Sequence, residues 1–289
     1  MEGKAVDYLY WYGSAWTTEQ RPLLGLRDNS FWMGNSVFDG ARAYDNVTPD
    51  LELHCARLLR SATHMLMRPT IDAESLAAIC RAGVAHFEHG AELYIRPMFY
   101  ARGGFIVPDP DTTECAIVIH RAPLPRNGFS ACTAPFRRPS PDMAPTLAKA
   151  SCLYPLTQQA LHYAKQRGFD NALLCNADGH VAEFATCNIM LVREEVVYTP
   201  EPDGSFLAGI TRARVIDLLR QAGITVIERR LRIDDVLEAD EVFSTGNYAK
   251  VQPVLRIDDR HYPAGRIGEL AHRLYHEFAH ATAHIEAAA

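Results

Sequence analysis

Six prolines crowd residues 122–145, near the middle of this 289-residue chain. Proline fixes φ and lacks an amide hydrogen, so this density excludes regular structure and predicts a linker over 123–145. The linker would separate a small N-terminal domain at 1–122 from a larger C-terminal domain at 146–289. A chain of this length can bury a full hydrophobic core without disulfides or metal.

Helix and strand patterns mix on both sides of that segment. Before it, strands are predicted at 7–12, at 31–44 with interruptions at Gly34 and Gly40, at 92–100 and at 115–121. Helices are predicted at 49–68 and 73–89, the latter with Asp72 as N-cap. After it, helices are predicted at 154–167, at 211–222 and from 267, with strands at 171–175, 180–184, 188–192, 196–199, 224–229 and 241–244. No regular βαβ rhythm emerges, so the pattern predicts an α+β, or mixed α/β, protein of two lobes.

Charge and cysteine usage narrow the class of protein. Acidic residues number 35 against 29 basic ones, for a net charge of −6, so no nucleic acid or anionic membrane is expected as partner. No apolar run is long enough to span a membrane, and the first residues lack the pattern of a secretion signal. Seven cysteines without a CxxC pair are typical of the reduced thiols of a cytoplasmic protein.

Lysine chemistry has four candidates, since lysine occurs only at 4, 149, 165 and 250. Lys149 lies among small and apolar residues, where partial desolvation would lower the pKa of its amine and make it a nucleophile toward carbonyls. The alternative is a surface lysine whose aliphatic stem packs while its charge stays in water. Lys250, in a tight polar turn, is its only competitor.

Two turns could bind an anion. Gly209-Ile210-Thr211 opens a helix whose first amides are unpaired, and Thr245-Gly246-Asn247 follows a strand. With Arg57, on a helix, they would suit a dianionic phosphate, although Arg57 could equally pair with a carboxylate.

Glu183 lies in an apolar strand. A carboxylate there needs a cationic partner or a protonated heterocycle, unless it points outward from an edge strand.

Taken together and in order, these segments resemble the fold-type IV, or class IV, pyridoxal-phosphate aminotransferases, most closely the branched-chain amino acid aminotransferases. The resemblance runs from about Ser30 to Val254. It rests on the segments SVFDGARAY at 36–44, HCARL at 54–58, YIRP at 94–97, Lys149 with Tyr154, VAE at 181–183 with Asn188, FLAGITR at 206–212, and ADEVF at 239–243 with Thr245-Gly246.

The resemblance implies a small N-terminal α/β lobe, a larger C-terminal pseudo-barrel lobe and pyridoxal 5'-phosphate as cofactor. Lys149 would be the catalytic residue, holding the cofactor covalently and moving a proton during a ping-pong Schiff-base reaction. Glu183 would pair with the pyridine nitrogen, and Tyr154 with the ring hydroxyl. The cofactor-binding residues would be Arg57, Lys149, Tyr154, Glu183, Asn188, Leu207, Gly209, Ile210, Thr211, Gly246 and Asn247. No metal is implied.

The substrates implied are an apolar, branched-chain L-amino acid and 2-oxoglutarate. Arg96 would receive the side-chain carboxylate of glutamate within a largely apolar pocket. The substrate-binding residues would be Phe38, Gly40, Arg42, Tyr94, Arg96 and Tyr248. A homodimer is implied as well, since a second subunit helps enclose the substrate in this family.

Three departures from the family pattern concern the site. Met33 stands where a tyrosine is usual, and Asn247 replaces a phosphate-side threonine while keeping a donor. Thr186 and Cys187 replace the usual glycine and glutamate beside the ring.

Rival functions on the same fold are a D-amino acid or (R)-amine transaminase, which Arg102 would favour as a carboxylate trap, and an aminodeoxychorismate lyase. A different rival is a metal-binding module that uses His272, His276, His280 and His284, spaced four residues apart on the last helix. No cysteine or aspartate completes such a metal set.

Overall fold

The computed structural model describes residues 6–45 and 47–286, with side chains described to residue 281. The chain forms two compact units. Unit 1 comprises Met1–Leu124, Ala148–Cys152 and Thr282–Ala289; unit 2 comprises Pro125–Leu147 and Leu153–Ala281. The segment carrying Lys149 thus groups with unit 1, whereas the predicted boundary placed it in the C-terminal domain. The reason is local pairing, since Ala150 forms a β-bridge with Val37.

Unit 1 is a helix-covered antiparallel sheet. Its elements are β1 (Tyr8–Trp11), β2 (Trp16–Thr17), α1 (Asn29–Trp32), β3 (Ser36–Phe38), β4 (Ala41–Ala43), α2 (Leu51–His64), α3 (Ala73–Val84), β5 (Leu93–Ala101) and β6 (Thr113–Arg121). The strand order is β2-β1-β6-β5-β3, and β4 also pairs with β5.

Alternation along β5 gives this sheet two different faces. Leu93, Ile95 and Phe99 are buried, while Tyr94 and Arg96 between them keep part of their surface. The apolar stripe of α2, which includes Leu51 and Leu58, is fully buried as well. The helices and one face of the sheet therefore share the core of unit 1.

Unit 2 is built on a second sheet. Its elements are β7 (Phe129–Arg138), α4 (Tyr154–Gln166), β8 (Asn171–Asn176), β9 (Val181–Phe184), β10 (Asn188–Arg193), β11 (Val196–Pro200), α5 (Ile210–Gln221), β12 (Val226–Arg229), α6 (Ile233–Leu237), β13 (Glu241–Gly246), β14 (Lys250–Ile257), β15 (Arg260–His261) and α7 (Arg266–Glu286).

The strand order of this sheet is β12-β11-β10-β13-β14-β7-β8-β9, with β15 paired to β14. One apolar cluster takes residues from six of these strands, among them Leu173, Phe184, Ile189 and Val254. The sheet curls around that cluster, as expected for a pseudo-barrel. A second cluster packs Val215 of α5 and Tyr275 of α7 against the sheet. The mixed α/β fold predicted from the sequence is confirmed.

Several local predictions were wrong. The proline-rich segment is not irregular, because β7 occupies 129–138. Pro135 is tolerated there because pairing with β8 is interrupted between Thr133 and Arg137, where no ladder hydrogen bond is lost. The strand predicted at 31–44 starts too early, since residues 31–32 belong to α1, whereas the predicted interruptions at Gly34 and Gly40 do separate α1, β3 and β4. The helix predicted to reach residue 89 ends at Val84, although its N-cap is confirmed, as Asp72 accepts from the amide of Ser75.

No helix in the described part of the chain is long and apolar enough to cross a membrane. All seven cysteines carry free thiols, and four of them are buried.

Candidate functional site

Strands β3 and β5 place an arginine between two aromatic rings in unit 1. Because Phe38 pairs with Met98 and side chains alternate, Phe38, Tyr94 and Arg96 share the face of the sheet opposite the core. The guanidinium carbon of Arg96 lies 4.8 Å from the ring centroid of Phe38 and 5.2 Å from that of Tyr94. Its Nε is buried and has no hydrogen-bond partner among the described residues. This cation is held by rings and keeps a donor for an anion.

Lys149 reaches the same face. Its carbonyl accepts from the amide of Phe38 at 3.1 Å, and its own amide donates to the hydroxyl of Ser61 at 3.1 Å. The amine Nζ lies 5.2 Å from the Phe38 ring centroid. The backbone of this lysine is thus pinned on both sides, and its partly buried side chain lies over an aromatic ring.

Arg57 forms the carboxylate pair that the sequence left as one of two alternatives. Its Nε and Nη2 donate to the two oxygens of Asp39 at 2.7 and 2.8 Å, and Nδ1 of His54 lies 2.8 Å from the same carboxylate. Burial by itself would raise the pKa of Asp39, but the charges and hydrogen bonds of Arg57 and His54 hold that pKa well below its usual range. The Asp39 carboxylate also accepts from the amide of Gly40.

Arg42 is more completely buried than we expect for a residue that contacts the substrate. It is fully buried, and its Nη2 donates to the carbonyl of Ala122 at 2.5 Å. Its register partner is Tyr94, so it shares the face of Arg96. Its predicted role toward substrate stays a prediction.

Glu183 lies in β9, which is the last strand in the order of this sheet. Its side chain nevertheless points inward and is mostly buried. One oxygen lies 3.3 Å from Nε of Arg138, and the other accepts from Nδ2 of Asn188 at 3.3 Å. Arg138 is itself buried and donates to the carbonyl of Ser205 at 3.1 Å. The carboxylate therefore has a cationic partner, which was the first of the two conditions set by the sequence.

Asn188 joins Glu183 to both of the predicted anion-binding turns. Its Nδ2 also donates to the carbonyl of Leu207 at 3.2 Å, and it pairs in register with Thr245 of β13. A Cβ at Gly209 would lie 2.1 Å from Asn188 Oδ1, so only glycine permits this approach. The N-terminus of α5 and the end of β13 are thus brought together around one side chain.

The donors at these turns have no acceptors of their own. The hydroxyls of Thr211 and Thr245 and the Nδ2 of Asn247 are buried without a hydrogen-bond partner among the described residues. Gly209, the N-cap of α5, supplies no side chain to the first amides of that helix. Buried donors in this number next to a helix N-terminus fit a phosphate dianion. The phosphate of the implied cofactor suits this donor set.

The remaining predicted residues of unit 2 lie on α4, around the start of α5 and at the end of β13. Tyr154 is the first residue of α4 and is partly buried, and Leu207 and Ile210 flank the start of α5. Gly246 ends β13, where a Cβ would lie 2.9 Å from that of Cys187. Burial raises the pKa of Cys187 to about 12, so this thiol supplies no charge in place of the usual glutamate. Tyr248 is exposed.

Sequence reasoning missed three partners of the predicted residues. Asp39 orients Arg57, Arg138 pairs with Glu183, and Lys250 donates to the side-chain oxygen of Asn247 at 2.7 Å. Asp39 was the easiest to find, because an acidic residue that directly follows the apolar Val-Phe pair of a buried strand requires a buried cation.

The histidine face does not form a metal site in the part of the chain that the structure describes. The rings of His272 and His276 lie 4.4 Å apart, but no group of three metal-ligating side chains occurs among these residues. Burial lowers the pKa of His272. The side chain of His284 lies outside the described residues.

Comparison with known proteins gives one consistent family. The family model described as amino-transferase class IV matches residues 36–257. A branched-chain-amino-acid aminotransferase of Pseudomonas aeruginosa is 31% identical over 283 residues, covering 93% of this chain and 91% of its own.

Solved structures agree. An aminotransferase from Brucella abortus bound to the cofactor PLP superposes with a TM-score of 0.93 at 42% identity, covering 95% of this chain and 99% of its own. A branched-chain aminotransferase from Thermoproteus uzoniensis with norvaline gives a TM-score of 0.87 at 30% identity, covering 94% of each chain.

Proposed function

Because this chain belongs to the class IV aminotransferases and is an enzyme that uses pyridoxal 5'-phosphate, we propose that it moves the amino group between a branched-chain L-amino acid and 2-oxoglutarate. The observation that carries this proposal is Arg96, a cation between two aromatic rings with its Nε unpartnered among the described residues. Relatives named as branched-chain aminotransferases, and a neighbour with norvaline, support the same substrate class.

The pocket proposed for the substrate side chain has two properties at once. Phe38 and Tyr94 offer ring surface to an aliphatic side chain, and Arg96 offers a charged donor to the distal carboxylate of 2-oxoglutarate. The rings hold the guanidinium in place when no carboxylate is present, so the same walls accept both substrates in turn. This alternation is what a ping-pong transaminase requires.

Lys149 is proposed to hold the cofactor covalently and, once released, to carry the proton between the substrate α-carbon and the cofactor carbon. Its backbone is fixed through Phe38 and Ser61, so only the side chain has to move. When bound, the cofactor supplies an electron sink for the breaking C–H bond. Tyr154 is proposed to donate to the ring hydroxyl.

Further contacts with the cofactor are proposed for five other residues. Glu183, which lies 3.3 Å from Nε of Arg138, would hold a proton on the pyridine nitrogen. The amides of Ile210 and Thr211, with the side chains of Thr211 and Asn247, would bind the phosphate. Arg57 would add positive charge while Asp39 fixes its orientation.

A homodimer is also proposed, because unit 1 exposes a continuous apolar surface. Phe31 and Trp32 of α1 are 60% and 51% exposed, and Phe105 and Ile106 of the loop after β5 are 67% and 70% exposed. The rings of Trp32 and Phe105 are in edge contact at 5.4 Å. An apolar patch of this kind is typical of a surface that a second copy covers. A cytoplasmic location remains a proposal from the sequence.

The rival on the same fold, a D-amino acid transaminase, would use Arg102 to trap the α-carboxylate. Arg102 is already engaged, with Nε 2.5 Å from Glu114 and Nη1 3.0 Å from Asp28. A guanidinium paired with two carboxylates is a poor trap for a third. These contacts therefore favour an L-amino acid, and not a D-amino acid, as the substrate.

The test is a visible absorption titration of the purified yellow protein with L-leucine, and with D-alanine in a parallel cuvette. We expect L-leucine to bleach the band, 2-oxoglutarate to restore it, and D-alanine to leave it unchanged. In an Arg96→Met variant, L-leucine should still bleach the band, whereas restoration should need about a hundredfold more 2-oxoglutarate, since a charge-assisted contact is lost. Bleaching by D-alanine alone would overturn the substrate proposal but keep the cofactor site.

Borohydride trapping identifies the lysine. The wild-type protein should retain cofactor covalently after reduction, and Lys149→Ala should not. Lys165→Ala, which removes an exposed lysine of α4, is the matched control and should trap as the wild type does. Trapping that persists in Lys149→Ala and disappears in Lys250→Ala would move the reactive amine to the competitor.

A further inference from the structure

We propose that Lys250 is a positioning residue for the cofactor phosphate: it fixes the carboxamide of Asn247 so that the NH2 group, and not the oxygen, is presented to the anion. This inference rests on the proposed function, because Asn247 is taken to bind the phosphate. Nothing in the reaction itself uses Lys250.

The position of Lys250 is unusual for a lysine. Its residue surface is 1% exposed, at the first position of β14, and its φ of 61° lies in the left-handed region. Glycine or asparagine would adopt that conformation at lower cost, and a polar surface residue would avoid the desolvation of the charge. A buried lysine in a left-handed turn therefore calls for an explanation by its contacts.

Two contacts within unit 2 define where the amine lies. Nζ donates to Oδ1 of Asn247 at 2.7 Å and lies 5.5 Å from the ring centroid of Tyr275 in α7. Tyr275 is fully buried, so its ring forms a fixed wall on one side of the cation. The amine therefore lies on the inner side of the short turn that connects β13 and β14.

The hydrogen-bond chemistry then decides which way the amide faces. An ammonium group only donates, so the atom it contacts on Asn247 must be the oxygen. The Nδ2 group is therefore at the other end of the amide, where it is buried without a partner among the described residues. Rotation of the amide by 180° would turn the oxygen toward a phosphate and break the bond to Lys250.

The residue type at 247 explains why such a device is needed. The family pattern has a threonine there, whose hydroxyl hydrogen rotates and can always donate. An asparagine donates to an anion in only one of its two amide orientations. Lys250 supplies the missing constraint, and the two residues act as a pair.

The experiment compares the dissociation constants of pyridoxal 5'-phosphate and pyridoxal for the cofactor-free enzyme. The ratio of the two constants isolates the phosphate contribution. Lys250→Met should weaken binding of the phosphorylated form about tenfold, the worth of one well-oriented hydrogen bond to a charged group, and leave pyridoxal binding unchanged. Lys165→Met, at an exposed position, is the matched control and should leave the ratio as in the wild type.

Rescue separates orientation from general support of the fold. Adding Asn247→Thr to Lys250→Met should restore the ratio, because a hydroxyl needs no external orientation. The melting temperature of each cofactor-free variant is measured alongside. A lowered melting temperature with an unchanged ratio, or a double variant that stays weak, would overturn the proposal.

A gentler variant covers the case in which Lys250→Met does not fold. Lys250→Gln keeps a polar group that can either donate or accept, so it should weaken binding of the phosphorylated form about threefold and raise the ratio accordingly. An unchanged ratio in Lys250→Gln would also overturn the proposal. Failure of the proposed function looks different, since the wild-type protein would then bind the two cofactor forms equally or show no Lys149-dependent band.

Discussion

Each unit of the molecule buries one carboxylate beside one arginine, and the two pairs are held very differently. In unit 1, Asp39 is completely buried and receives two nitrogens of Arg57 at 2.7 and 2.8 Å. In unit 2, Glu183 keeps 12% of its side-chain surface exposed, and its contacts with Arg138 and Asn188 are both 3.3 Å long. Both pairs join an arginine to a carboxylate, but only Asp39 and Arg57 are held together by short bidentate hydrogen bonds.

The first geometry suits an ion pair that stabilises the fold, which we call a lock. The second suits an ion pair that can also bind a ligand. Short bidentate bonds from Nε and Nη2 of Arg57 occupy both oxygens of Asp39 and fix the direction of the guanidinium. Longer single contacts keep the charge of Glu183 in place while its surface stays accessible to a further donor. Similar buried ion pairs can therefore stabilise a fold or prepare a site, and the contact geometry distinguishes the two cases.

The largest expected effect is on the free energy of unfolding, through the pair of Asp39 and Arg57. Asp39→Asn leaves Arg57 buried without a counter-charge, so the free energy of unfolding of the cofactor-free protein should fall by about 3–5 kcal/mol. Urea unfolding measures this loss. Glu19→Gln, which removes an exposed partner of Arg21 in the same unit, is the control and should have no effect on the midpoint. If Asp39→Asn unfolds at the same urea concentration as the wild type, the pair is not a lock.

The next largest effect is expected on turnover, through the pair of Glu183 and Arg138. Glu183→Gln should lower turnover about a hundredfold, because a neutral amide cannot hold a proton on the pyridine nitrogen, while the cofactor stays bound. Steady-state kinetics and the visible band measure the two consequences separately. Glu228→Gln, at the partner of Arg212 in the same unit, is the control and should retain the wild-type rate. An unchanged rate in Glu183→Gln would remove the role proposed for this carboxylate.

The smallest effect is a pH dependence of the stability that the pair of Asp39 and Arg57 provides. The pKa of Asp39 is lower in the folded than in the unfolded protein, so its stabilisation is complete above the unfolded pKa of about 3.9 and is lost as the pH falls toward the folded value. The advantage of the wild type over Asp39→Asn should shrink by about 1.4 kcal/mol per pH unit below about pH 4. Urea midpoints at pH 3, 4, 5 and 7 test this, and a constant difference down to pH 3 would mean that Asp39 is not ionised.

Elements governed by local pattern were predictable. The alternation along β5 and the apolar stripe of α2 can be recognised from the order of residues alone. The bounds of both elements were predicted within a few residues. The free donors of the two turns were also predictable, because glycine at 209 and 246, with threonine and asparagine beside them, is typical of unpaired donors. What brings these turns together is Asn188, whose position was predicted only through the family resemblance.

The rest depends on tertiary partners that no local pattern reveals. Strand β7 forms across a proline because its neighbour β8 skips that position. Arg57 could be read as a phosphate ligand or as an ion-pair partner until Asp39 was placed beside it. Lys250 looked like a second candidate nucleophile, and only its contact with Asn247 shows that its amine is already engaged.

Helix α5 begins at Gly209 without the serine, threonine or aspartate that usually closes a helix start. A side chain of that kind would satisfy the first amides permanently and would also collide with Asn188. Under the proposed function, the phosphate would take the place of the missing cap, and the anion and the first turn of α5 would stabilise each other. Backbone hydrogens at Ile210 and Thr211 should in consequence exchange with solvent faster when the cofactor is absent, which makes the start of this helix a built-in reporter of occupancy.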